Sequence, residues 1–316
     1  MIKTFYNHKQ IMENNIEQSH SKSPLKPKLL LKYLKRQKIY EEFLEIEPFK
    51  PFTKKDFLIA HTKEYVEAVY KGIKPLCESS WLPWSKELVT SLEYTNASLY
   101  NAMHYASQNP SYITFSPSAG FHHAVPENGT GFCSFSGQVI ASVKLYREFG
   151  TRTAWLDLDG HFGNSIESSR EFVPDLNLAV PKGFNMNPTG KHHNYIKSLK
   201  HYLEKLEKAI LNNEIDCVVW AHGADSHEDD DMGGYCTTEE WIECSTLFFS
   251  WVKQLNIKRK KPLPVTLTLF GGYRMDDYYS VLSLHAADIV ECLNILCSQK
   301  IDYTPEVRYN EWRRGF

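Results

Sequence analysis

The stretch that most constrains this chain is Arg152–Asn164, which reads RTAWLDLDGHFGN. Its first residues, Arg152 to Leu156, are mixed and apolar, as expected of a strand buried in a parallel sheet. The run then stops on Asp157, Asp159 and His161, and a Gly/Asn turn follows. In open α/β sheets, ligands bind where strands end at their carboxyl edge. Side chains two apart leave an extended backbone on the same side. A carboxylate and an imidazole brought together in this way suit Zn²⁺ or a similar divalent ion. The plainer reading is a pair of aspartates capping a turn.

The rest of the chain has the rhythm such a strand requires. Expected strands lie at Lys3–Tyr6, Tyr112–Phe115, Arg152–Leu156, Leu176–Val180, Asp216–Ala221 and Val265–Phe270. Expected helices begin near Leu29, at Lys54 behind a Thr53 cap, and after His61-Thr62. Further helices cover 87–107, 136–149, 193–213, 237–255 and 277–297. Strand alternating with helix predicts one doubly wound, mainly parallel sheet flanked by helices. Length alone would allow one large α/β domain or two small ones. No repeat or linker divides the 316 residues, so a single domain over 1–316 is expected.

Composition narrows the function classes. Hydrophobic residues are 42% and charged residues 23%, and the net charge is -2. No basic field calls for nucleic acid. No apolar run approaches the roughly 20 residues of a membrane span. The N-terminus lacks the apolar core of a signal peptide. Seven cysteines without CxxC spacing fit reduced thiols in a cytoplasmic setting better than a disulfide framework.

Four loops carry unusual polar groups: Gly120–Ala124, Asp157–Asn164, Ala221–His227 and Phe270–Tyr273. Three of them directly follow expected strands. Each has a structural explanation of its own. A Gly-Gly-Tyr turn can need only glycine dihedrals, and the acidic run Glu228–Asp231 reads as a solvated face. What favours chemistry is that all four would emerge at one edge of one sheet.

In order and spacing these blocks resemble the zinc-dependent deacetylases: histone deacetylases, their bacterial relatives and the acetylpolyamine amidohydrolases. His122-His123-Ala124 with Gly131-Phe132-Cys133 resembles HHA…GFC. Asp157–Asn164 resembles DxDxHHGxG. Ala224–Gly234 resembles the GFDAHxxDPLGG block, and Leu269–Tyr273 resembles LEGGY. Ser23–Pro27 and His61–Tyr65 are similar to the family's N-terminal landmarks. The resemblance implies an arginase/deacetylase-like fold and a single catalytic Zn²⁺ held by Asp159, His161 and Asp225. It makes His123 the general base and then acid, and gives His122 the task of holding the water. Asp157 would orient His122 and Asn164 would orient His123. Tyr273 would donate to the oxyanion. Gly131, Phe132, Phe184, Met232 and Gly272 would line the substrate channel. A structural K⁺ would sit on Asp157 and the carbonyls of Asp159 and His161.

There are departures. Phe162 replaces a histidine, Phe270 replaces a glutamate, and Gly160 is unusually small. Residues 74–86 lack the aspartate that many members use to grip the substrate backbone, and they offer Glu78, Trp81, Pro83 and Trp84 instead. The expected activity is hydrolysis of acyl-lysine in peptides or proteins. The alternative is a small acylated amine such as an acetylpolyamine. A ureohydrolase would need more carboxylates for two manganese ions, and a non-catalytic acyl-lysine reader would not need His122, His123 and Tyr273. Oligomeric state is not expressed in the sequence.

Overall fold

The computed structural model describes residues 1–13 and 21–311. Seven strands form one sheet: β1 (Ile2–Thr4), β2 (Leu44–Ile46), β3 (Thr114–Ser116), β4 (Thr153–Asp157), β5 (Asn185–Met186), β6 (Cys217–His222) and β7 (Val265–Leu269). Their order is β2-β1-β3-β7-β6-β4-β5, and every pairing is parallel. The helices are α1 (Lys26–Arg36), α2 (Tyr40–Phe43), α3 (Lys54–Phe57), α4 (Lys63–Lys71), α5 (Lys86–Gln108) and α6 (Gly137–Phe149). They continue with α7 (Ser165–Ser169), α8 (Leu176–Ala179), α9 (His193–Leu211), α10 (Thr238–Arg259) and α11 (Tyr278–Leu296).

The period of two in the central strands decides the layering. Along β6, Val218 and Trp220 join one apolar core with α1, α9, α10 and α11. Cys217, Val219 and Ala221 join a second core with α4, α5, α6 and α8. Both faces of the sheet are therefore buried, which is why these strands read as continuous apolar runs rather than alternating ones. Trp220 shows how tightly the first layer is built: it stacks on Phe248 at 4.3 Å, and its indole N–H donates to Asp288.

Three expectations need correction. Leu176–Val180 is not a strand, because Leu176–Ala179 is a helical turn, α8. The amides of Leu178 and Ala179 donate to the Asp175 carbonyl, and Leu176, Ala179 and Val180 share the buried side. The strand comes later, as β5. Residues 7–23, which carry neither an expected strand nor an expected helix and so read as loop, contain a short 3₁₀ turn at His8–Gln10 and lie partly outside the described residues. Finally, α11 is long and apolar enough to cross a membrane by length and composition. Its apolar residues, among them Val281, Leu284, Ile289 and Leu293, are accounted for by the core they fill against the sheet and α10.

Candidate active site

β3, β7, β6 and β4 are neighbours in the sheet, and each ends in one of the four polar loops. The carboxyl edge of the sheet therefore gathers the residues singled out in the sequence. β4 delivers Asp157, and the turn after it delivers Asp159 and His161. The turn after β6 delivers Asp225. The ligand atoms of Asp159, His161 and Asp225 all lie within 4.8 Å of one another. His161 Nδ1 faces both carboxylates, 3.0 Å from Asp159 Oδ1 and 3.0 Å from Asp225 Oδ2.

The donor set fits a divalent cation. Asp225 is fully buried, and its Oδ1 has no hydrogen-bond partner. A buried carboxylate with an unsatisfied oxygen is costly unless a cation is its partner. Burial, followed by the charge of Asp159, raises the Asp225 carboxyl to about 8. Two nearby glycines belong to the same arrangement. A Cβ on Gly271 would lie 2.2 Å from the Asp225 carboxylate, and one on Gly160 would lie 2.9 Å from the Asp225 carbonyl. The small residue between the two ligands of the β4 turn is thus what lets that turn close on Asp225.

Two histidine pairs stand beside this cluster. His122 Nδ1 is 3.0 Å from Asp157 Oδ2, and His123 Nδ1 is 3.0 Å from Asn164 Oδ1. The two rings lie 4.0 Å apart but have opposite electrostatics. Burial disfavours charge on His122, yet Asp159 and Asp157 outweigh it and raise the ring to about 9. Burial and then the charge of His122 push His123 down to about 4, and only an amide faces it from Asn164. Phe270, which stands where a glutamate was expected, packs edge-on against His122 at 4.8 Å. Tyr273 completes the group with its ring 6.0 Å from His161. Burial keeps its hydroxyl well above the usual phenol range, so it remains a donor.

A pocket of about 310 Å³ opens above these groups. Phe132, Gly131, Met232 and Tyr273 line it, and Trp81 stands edge-on to Phe132 at 5.6 Å. Phe184 is not part of it. Phe184 lies buried in the core beside β5, where its carbonyl accepts from Trp155 N and Lys205 Nζ sits over its ring. The loop after β5 supplies no replacement, so Phe132 has Trp81 as its aromatic companion. Trp84 is also structural: its indole N–H donates to the Val69 carbonyl and its ring covers Gly72. Gly272 owes its small size to α11 rather than to substrate, since a Cβ there would lie 2.6 Å from Val281 Cγ1. The acidic run is not a solvated face either. Asp229 and Asp230 are buried, and Asp230 Oδ2 accepts from the Tyr273 amide at 2.7 Å.

Sequence reasoning gave no role to Lys26. It is fully buried and donates from Nζ to the carbonyls of Phe270 and Gly271. Burial lowers its ammonium to about 8, against the pull of Asp225 and Asp159. A lysine inside a Pro-flanked helix start gives little sign of burial. The only available signal was its place in the Ser23–Pro27 landmark.

The histone deacetylase domain family matches residues 20–179, half of the chain, and these include both histidine pairs and the first two expected ligands. The chain belongs to the histone deacetylase family. An uncharacterised protein of Picosynechococcus sp. is 25% identical over 204 residues, covering 57% of this chain and 64% of that protein. Histone deacetylase 2 of Arabidopsis thaliana is 25% identical over 174 residues, 49% of this chain and 42% of the relative. The matched stretch is thus less than two thirds of either relative. The fold is similar to the crystal structure of the HDA15 HD domain, with a TM-score of 0.73, 15% identity, and coverage of 96% of this chain and 90% of that one. At that identity the likeness speaks for the α/β deacetylase fold alone.

Proposed function

We propose that this chain is a zinc-dependent amidohydrolase that removes acyl groups from lysine side chains in peptides or proteins. The observation that carries the reading is the convergence of the Asp159–His161–Asp225 cluster, the two histidine pairs and Tyr273 beside one apolar pocket, which His123, His161, Asn164 and Tyr273 line directly.

Asp159, His161 and Asp225 would hold the ion. When bound, it would supply a Lewis acid that polarises the acyl carbonyl and makes water more acidic. The other residues have separable tasks. Because Nδ1 of His123 faces the Asn164 oxygen, its proton sits there and Nε2 carries the lone pair. His123 Nε2 takes a proton from the attacking water and later passes it to the amine nitrogen as the C–N bond breaks. His122, paired with Asp157, stays protonated and holds positive charge beside the developing anion. Tyr273 donates its hydroxyl to the tetrahedral oxyanion. Phe132, Trp81 and Met232 shelter the methylene chain, which excludes water from the amide.

The lining of the pocket supports lysine over polyamine. The ion cluster lies beside it, and no carboxylate lines it among the described residues. An acetylpolyamine would carry a further ammonium into a wall made of Trp81, Phe132, Thr130 and Met232 with nothing to pair it. An acyl-lysine presents only methylenes there. The test is kcat/KM for an acetyl-lysine peptide against acetylated putrescine and spermidine, using zinc-loaded protein. A peptide preference is expected. A polyamine preference above about tenfold, or 1.4 kcal/mol of transition-state binding, would overturn the substrate assignment.

A further inference from the structure

Tyr273 is tied down by residues far from the chemistry. Its amide donates to Asp230 Oδ2 at 2.7 Å. The next residue, Arg274, is only 2% exposed, and its guanidinium is spent entirely on placement. Nε and Nη2 grip the Asp276 carboxylate at 2.8 and 2.9 Å, while Nη1 reaches the Arg308 carbonyl at 2.7 Å. The residue after that, Met275, donates its amide to Asp231 Oδ2 at 2.9 Å. Asp231 is in turn held from the C-terminal segment, because Asn310 Nδ2 donates to Asp231 Oδ1 at 2.7 Å and to the Asp229 carbonyl at 3.0 Å. Three consecutive residues of the tyrosine loop therefore depend on the acidic loop or on residues 308–310.

That C-terminal segment is itself fastened. Tyr303 shares hydroxyl contacts with Tyr33 and Ser283, the Glu306 amide donates to Ser283 Oγ at 2.7 Å, and the Arg308 amide donates to Ser280 Oγ at 3.0 Å. Residues 303–310 thus run along the first turns of α11 and end buried, with Asn310 2% exposed beneath the acidic loop. From the other side the loop is held by β7, by Lys26 Nζ on the Phe270 and Gly271 carbonyls, and by the Gly271 amide on Asp159 Oδ2 at 2.7 Å.

We propose that residues 303–310 form a strap that sets the position of the Tyr273 hydroxyl, with Asn310 and Arg274 as positioning residues. The catalytic part of this inference rests on the amidohydrolase reading. Asp231 is central to it, since it is the carboxylate that joins the Met275 amide to Asn310. A loop free to shift by even an ångström would carry the donor away from the place where the oxyanion forms, and oxyanion stabilisation depends steeply on such placement.

The experiment compares wild type, Asn310→Ala, Tyr273→Phe and the double variant on an acetyl-lysine peptide, with metal content and amide hydrogen exchange measured on each. Asn310→Ala should lower kcat by roughly 10- to 100-fold, with KM within about twofold and metal retained. In the Tyr273→Phe background the same substitution should cost less than about twofold, because the donor it positions is gone. Exchange at the Tyr273 and Met275 amides should accelerate in Asn310→Ala, while β6 and β7 stay protected. Equal losses in both backgrounds, or an unchanged kcat, would overturn the strap, and so would unchanged exchange at Tyr273 and Met275. A wild type without amidase activity would instead count against the functional reading, with the exchange data still deciding the strap.

Discussion

Asn164 sets the proton affinity of the residue proposed as the base. An aspartate there would add a negative charge 3.0 Å from His123 Nδ1, where the amide oxygen now supplies only a dipole. His123 is already pushed down to about 4 by burial and by its charged neighbour His122. Asn164→Asp should raise that value, since an adjacent opposite charge favours the protonated ring. A base works only when unprotonated, so a higher value means the active form is lost earlier as pH falls. The acid limb of the kcat/KM profile should therefore move to higher pH. A limb that does not move would remove His123 from the role of base. Tyr273→Phe addresses the donor instead: it keeps the ring and should cost about 100- to 1000-fold in kcat with metal retained, and near-normal turnover would show that another group polarises the carbonyl. The gathering of these residues was legible in the sequence because four polar blocks, each open to a structural explanation alone, were expected at one edge of one sheet. Phe184 was not, because an aromatic after a proline and a glycine looks the same whether it faces substrate or core. Lys26 was hidden for a similar reason, since burial of an ammonium is decided by carbonyls 244 and 245 residues away.

At the scale of elements, the long helices and central strands follow from period and caps. The ends of α10 show why: Thr237 and Glu240 exchange side-chain and backbone bonds at 2.9 and 3.3 Å, and the sequence carries that capping box openly. The short edge pieces were less legible. β2 and β5 are three and two residues long, and only pairing with β1 and β4 makes them strands. One buried link between elements yields a stability prediction. His61, just before α4, accepts the Ser136 amide on Nε2 at 2.8 Å and so finishes the start of α6. Burial lowers it from 6.5 to about 4. In the unfolded chain it protonates near 6.5, so the unfolded state binds more protons between those values. Stability should therefore fall as pH drops from about 6.5 to 4, by about 3 kcal/mol from this group alone at 1.36 kcal/mol per unit. His61→Gln keeps an acceptor and removes the titration. Urea unfolding at pH 7 and pH 4.5 should show a smaller loss in the variant than in wild type, and equal losses would mean that His61 is charged in the fold.

At the scale of the whole molecule, the carboxyl edge concentrates negative charge where the sheet can least solvate it. Asp157 and Asp225 are fully buried and Asp159 is 6% exposed, at the carboxyl ends of two strands that lie side by side. Lys26 and His122 offset part of that charge, but Asp225 Oδ1 remains without a partner. If the cluster is a metal centre, the cation closes the β4 and β6 turns together, and it stabilises the folded state by mass action, about 4 kcal/mol when free ion is a thousandfold above Kd. For a chain of this size that corresponds to a rise in Tm on the order of 10 °C. Asp225→Asn separates this from a purely structural ion-pair cluster. The variant keeps shape and volume but removes a ligand charge. Without metal it should be at least as stable as wild type, because a buried carboxylate raised to about 8 is one the apo fold holds at a cost. With zinc added, wild type should gain Tm and Asp225→Asn should gain little. Scanning calorimetry with chelator and with excess zinc on both proteins gives the answer. The opposite pattern, no zinc-dependent gain in wild type together with a destabilised apo variant, would mean that His161 and the two aspartates hold each other rather than an ion.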